Sequence, residues 1–112
     1  MSAPNLSRAL VLQSPVATPD GAGGFTTTWH SLGTHWAAID ARTGQERFGA
    51  LGPSGQVALR ITLRAAPFGS DRRPRPDQRF VEGQRIYRIL TVAEADSQGR
   101  YLICTATEEL PA

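Results

Sequence analysis

The sequence predicts an all-β domain, a small antiparallel β-barrel or sandwich of six to seven short strands with a long loop and one optional short helix. Three observations carry this. Residues 57–64, V-A-L-R-I-T-L-R, alternate strictly: Val57, Leu59, Ile61 and Leu63 on one face, Ala58, Arg60, Thr62 and Arg64 on the other. Such period-2 alternation suits a strand with one face on a core and one in water. Eleven glycines and eight prolines in 112 residues favour many turns over long helices. Aromatic and β-branched residues cluster in short runs between those turns.

The remaining elements follow in order. One domain, 1–112, is expected at this length, with residues 1–7 a polar tail. Residues 8–13, R-A-L-V-L-Q, form a first strand that stops at Ser14-Pro15 and lies near an edge. Asp20-Gly21-Ala22-Gly23-Gly24 is a turn. Two neighbouring strands follow. One holds Phe25, Thr27 and Trp29 on a common face; the other, after a break at Leu32-Gly33-Thr34, runs from His35 to Asp40 with Trp36 and Ala38 together. Trp36 is expected in the core with Leu59, Ile61 and Ile89. Residues 41–56 are a long loop, in which residues 45–51 can form two helical turns that bring Phe48 and Leu51 together. Glycines 44, 49, 52 and 55 oppose that helix. A connection of such length is either a functional loop or a loose one.

Residues 65–77 make a second long connection, whose prolines exclude a central strand. A strand–turn–strand unit then spans residues 78–92, with Tyr87 and Ile89 on one face and Ile86, Leu90 and Val92 on the other. A last strand, 100–107, places Cys104 beside Leu102 and Ala106, where a buried, inert thiol is expected.

Charge is uneven. Residues 60–88 hold eight arginines and three acids, +5, while the rest holds four arginines and seven acids, −3. Arg72, Arg73 and Arg75 lie close together with no aromatic among them, which argues against a base-stacking platform. They read as a solvated turn or as salt bridges to a neighbouring subunit. His30 and His35 have no third ligand placed beside them, so two surface strand histidines are expected rather than a metal site. No nucleophile motif, phosphate-cradling loop or zinc spacing is present. The chain reads as a non-enzyme without cofactors. No signal peptide and no membrane span is expected.

Order and spacing together carry a resemblance. A short strand with Arg8 precedes D-G-x-G-G (20–24), Trp29, Trp36-Ala37-x-Ile39 and Gly44-x-Glu46. Then come the alternating strand ending in Arg64, Arg79-Phe80, Gly83, Tyr87-x-Ile89, Val92, and a last strand with Leu102 and Cys104 before Glu108. This pattern resembles the phage head–tail joining family, also called head closure or stopper proteins, found in tailed phages, prophages and gene transfer agents. The resemblance implies a barrel subunit of a homo-oligomeric connector ring, of six or twelve copies, at the head–tail junction of a particle assembled in the bacterial cytoplasm. Portal or adaptor proteins would lie above it, tail terminator or tail proteins below, and double-stranded DNA would pass through the channel. It also implies a channel-facing loop at 41–56, with Glu46, Arg47, Phe48 and Leu51 as its candidate residues. Arg72, Arg73 and Arg75 are candidates for a subunit or partner interface. The alternative is a monomeric OB-like barrel that binds nucleic acid through the basic segment 60–88.

Overall fold

The computed structural model describes residues 4–41 and 57–109. They form six strands: β1 (Arg8–Pro19), β2 (Phe25–Ala41), β3 (Val57–Arg64), β4 (Arg79–Glu82), β5 (Arg85–Glu94) and β6 (Tyr101–Glu109). All pairings are antiparallel, and the order β1-β2-β3-β6-β5-β4 closes into a barrel through a short β1–β4 contact, residues 11–13 against 79–81. There is no helix among the described residues. The optional helix at 45–51 lies outside them.

The interior follows from alternation. Leu59, Ile61 and Leu63 of β3 face Leu102, Cys104 and Ala106 of β6, residue opposite residue. Leu10 and Leu12, Phe80, Tyr87 and Ile89 complete the core. Arg60 and Thr62 lie on the outer face, half-buried. Cys104 sits inside as expected, and burial pushes its thiol up to about 12.

Three expectations are corrected. First, β1 does not stop at Ser14. It continues to Pro19, pairing with β2 along its whole length, Arg8 opposite Ala37 and Pro19 opposite Phe25. Beyond Gln13 it has no partner on its other side among the described residues, so Pro15 and Pro19 lie on an edge, where a missing N–H is tolerated. Second, residues 25–40 are one strand rather than two. The Leu32-Gly33 break is a bulge: Leu12 opposes Gly33 and Gln13 opposes Ser31, leaving Leu32 as the extra residue. Gly33 has φ +119°, a conformation side chains rarely adopt. Third, the faces beyond the bulge are opposite to those expected. His35 and Ala37 point inward, while Trp36 is 59% exposed. One inserted residue inverts every later side chain. A second bulge at Leu90 does the same in β5, sending Leu90 out and bringing Val92 against the core.

Beyond the barrel, residues 14–19 and 25–31 form a two-stranded ribbon with one partner each. Its tip is held by Asp20, whose Oδ1 accepts the amides of Ala22 at 2.8 Å and Gly24 at 3.1 Å. Gly21 and Gly23 supply the left-handed positions that turn requires. Those amide bonds hold the Asp20 carboxyl below its ordinary range.

Candidate functional site

Three ion pairs join neighbouring strands of the barrel wall. Arg8 reaches from β1 to Glu82 at the end of β4, its Nε donating at 2.9 Å, and Tyr87 donates its hydroxyl to the same carboxylate at 2.9 Å. The Arg8 bond, aided by Tyr87, lowers the Glu82 pKa. Arg85 on β5 makes a two-point contact with Glu108 on β6, at 2.8 and 2.9 Å. Arg88 stands 3.8 Å from Glu109 on the same pair of strands. The +5 and −3 halves of the sequence therefore meet as cross-strand pairs, because the acidic end of β6 lies beside basic β5. Of the eight arginines in 60–88, Arg85 and Arg88 are ion-paired among the described residues, so pairing reduces the positive charge of that segment without removing it.

The arginines of the 65–77 connection do not form one patch. Arg72 donates to the carbonyl of Thr34 at 3.1 Å, so it clamps the connection onto the β2 bulge. Its Nη1 occupies the space a side chain at Gly33 would need. Arg73 donates to the Ala66 carbonyl at 3.0 Å and stacks on the Phe68 ring at 3.7 Å. Arg75 is exposed, and its side chain makes no hydrogen bond among the described residues. Only its backbone N–H is engaged, donating to Gln78. Of the three candidates, Arg75 alone has no side-chain hydrogen bond among the described residues.

The same connection folds over a cleft of about 270 Å³, lined by Leu32, Phe68, Pro74, Pro76 and Val92 with Arg73 and Arg75 at its polar side. Phe68 is 82% exposed beside it. This volume lies below the roughly 300–1,000 Å³ of small-molecule pockets. It is the size for a side chain or two.

His35 is buried at the base of the ribbon, which corrects the expectation of a surface histidine. Its ring and that of Phe80 stand edge-to-face with centroids 6.1 Å apart, and its Nε2 has no hydrogen-bond partner among the described residues. Burial first, then the Arg72 charge, pushes its pKa down to about 4. His30 remains exposed on the ribbon, so the two histidines do not converge. Among the described residues no cluster of His, Cys, Asp and Glu could hold a metal.

Sequence reasoning missed the ribbon itself. Phe25 at its tip is 71% exposed and Val16 45%. Farther in, Arg79 of β4 lies over the Trp29 ring at 4.0 Å and donates to Gln13 at 2.8 Å, tying the ribbon to the barrel. The signal was present: turn residues flanked by Pro19 and Phe25, with a run of threonines following. The candidate residues Glu46, Arg47, Phe48 and Leu51 lie outside the described residues.

A closed barrel with an internally paired wall, a projecting ribbon and a cleft of side-chain size defines a small structural β-domain. The family model described as phage head completion protein matches residues 1–109, and the chain belongs to that family. A solved chain from the virion of a native gene transfer agent particle is 50% identical, with 98% of this chain and 100% of that one covered and a TM-score of 0.79. Protein SF1141 from Shigella flexneri 2a, solved in solution, shares the fold at 19% identity and TM-score 0.70, with both chains fully covered. No curated protein matches the sequence.

Proposed function

We propose that this protein is a structural subunit at the head–tail junction of a phage-like particle, one copy in a connector ring that joins the DNA-filled head to the tail. The observation that supports this most strongly is the end-to-end 50% identity to a chain of a gene transfer agent virion. Membership of the head completion family agrees with it. A closed barrel suits the role, since its wall leaves no free sheet edge for uncontrolled pairing and confines the open edges to the ribbon. A ring built from one kind of subunit needs two different complementary surfaces on each copy. The ribbon and the 65–77 connection, at different places on this chain, are such a pair.

Residues 41–56 are the segment assigned to the channel, with Phe48 and Leu51 as its large apolar residues and Glu46 and Arg47 as its charges. Several copies meeting near the ring axis would obstruct DNA where one could not. The test is a deletion of the gene in the producing cell. DNA-filled heads and separate tails are expected to accumulate, and complementation to restore joined particles. Normal joined particles without the protein would overturn the reading. Replacing residues 43–54 with a short Gly-Ser turn is expected to preserve attachment while tailless heads lose DNA. Equal DNA retention would reduce the segment to a passive connection.

A further inference from the structure

We propose that the ribbon tip of one copy docks into the cleft under the 65–77 connection of the next copy, with Phe25 as the inserted side chain. This rests on the ring reading above and names its subunit contact. Phe25 is a large apolar side chain left 71% exposed at the end of a rigid arm. Single exposed apolar side chains are ordinary on a surface; this one stands at the end of a projecting arm, where it can enter a neighbour, and aromatic residues are enriched among the anchors of interfaces. The cleft offers what the ring lacks: an apolar floor of Leu32, Pro74, Pro76 and Val92, open to solvent and of side-chain volume.

Charge argues for a second copy as the occupant. The tip carries Asp20, ionised because the turn amides hold its pKa low. The cleft carries Arg75, exposed and without a side-chain hydrogen bond among the described residues, with Arg73 and one acid, Asp71, beside it, so bases outnumber acids two to one in its lining. An apolar residue next to an acid therefore faces an apolar floor next to a base. The ribbon cannot reach its own cleft. Leu32 lines the cleft, and Phe25 lies seven residues further along the same extended strand, about 23 Å at the usual rise. Tip and cleft are thus different patches, which makes the contact heterologous, the type that closes rings.

The test uses full-length protein carrying both Ala22→Cys, in the tip turn beside Phe25, and Asp71→Cys, at the lining of the cleft, each at an exposed position that leaves Phe25 and the apolar floor in place. The native Cys104 is buried with its thiol raised to about 12, so it stays silent toward a thiol crosslinker. Particles purified from producing cells are treated with a short bismaleimide and run on a denaturing gel. A ladder of multimers is expected from the double variant and monomer alone from either single variant. Monomer alone from the double variant, with the protein present in joined particles, would overturn the docking and leave the connector reading standing. Absence of the unaltered chain from purified particles would overturn both. As a second measurement, Phe25→Ser should keep the melting temperature of the isolated subunit yet reduce its incorporation into particles at least tenfold. Unchanged incorporation would also count against the docking.

Discussion

The two halves of β1 and β2 are made of the same two strands yet behave as different materials. Residues 8–13 with 33–41 are barrel wall: Leu10, Leu12 and Ala37 are fully buried, and neighbouring strands pair on both outer sides. Residues 14–19 with 25–31 have one partner each and no core beneath them. An isolated two-stranded hairpin is marginal in water. The ribbon keeps its form through the Asp20 turn, the Trp29–Arg79 stack and continuity with the wall. The difference teaches that strand residues in this chain are selected for two ends: filling an interior, or presenting a surface at a distance from it.

Substitutions sharpen that contrast, beginning with the wall. Phe80→Ala removes a fully buried ring that packs against His35. It should cost about 3–5 kcal/mol in urea unfolding. A loss below 1 kcal/mol would show that the barrel interior is not closed around it.

Next comes the junction of wall and ribbon. His35 has a folded pKa of about 4 against 6.5 in the unfolded chain. Between those values the unfolded state binds the extra proton, so stability is complete above pH 6.5 and falls as pH drops toward 4. The full loss is about 3 kcal/mol. The Glu82 and Glu108 carboxyls, whose pKa values are lowered by Arg8 and Arg85, add their losses only below the ordinary carboxylate range. Unfolding curves at pH 7 and pH 5 should therefore differ for the native chain and nearly coincide for His35→Phe. Equal pH dependence in both would mean that His35 reaches water in the folded state.

A smaller effect is expected in the ribbon. Arg79→Gln removes the cation over Trp29, worth about 0.5–2 kcal/mol. Amide exchange should speed up in residues 14–19 and 25–31 before it does in β3 and β6. The smallest belongs to the tip, where Phe25→Ser should change stability by less than about 0.5 kcal/mol. A large loss there would make the ribbon part of the folding core and erase the distinction.

How much of this was legible in the sequence depends on whether a strand keeps its period. β3 and β6 alternate without interruption, so Leu59, Ile61, Leu102 and Cys104 were placed inside correctly. β2 and β5 each carry a bulge, and a fixed period read across Leu32 or Leu90 puts later residues on the wrong face. Trp36, sharing a face with Ala38, is expected inside from the sequence. The wall instead turns His35 and Ala37 inward and leaves the larger indole outside. Pro15 reads as a stop because proline removes a donor, and although an edge position is legible from it, only the pairing pattern reveals that the strand runs on to Pro19. The clustering of Arg72, Arg73 and Arg75 was plain, but linear spacing does not tell a clamp from a free charge. Arg72 and Arg73 are held by the carbonyls of Thr34 and Ala66, which lie distant in sequence or across a turn. Arg75→Glu is accordingly the informative charge reversal, and it should impair particle joining without altering the melting temperature of the isolated subunit.

Electron cryo-microscopy of the purified particles, with the protein located by its fold, tests the central claim most directly. A ring of several copies of this barrel is expected at the head–tail junction, each 8–13/33–41 wall intact and each ribbon reaching toward its neighbour. Joined particles with no such barrel at the junction, or with the barrel found elsewhere in the capsid or tail, would contradict it.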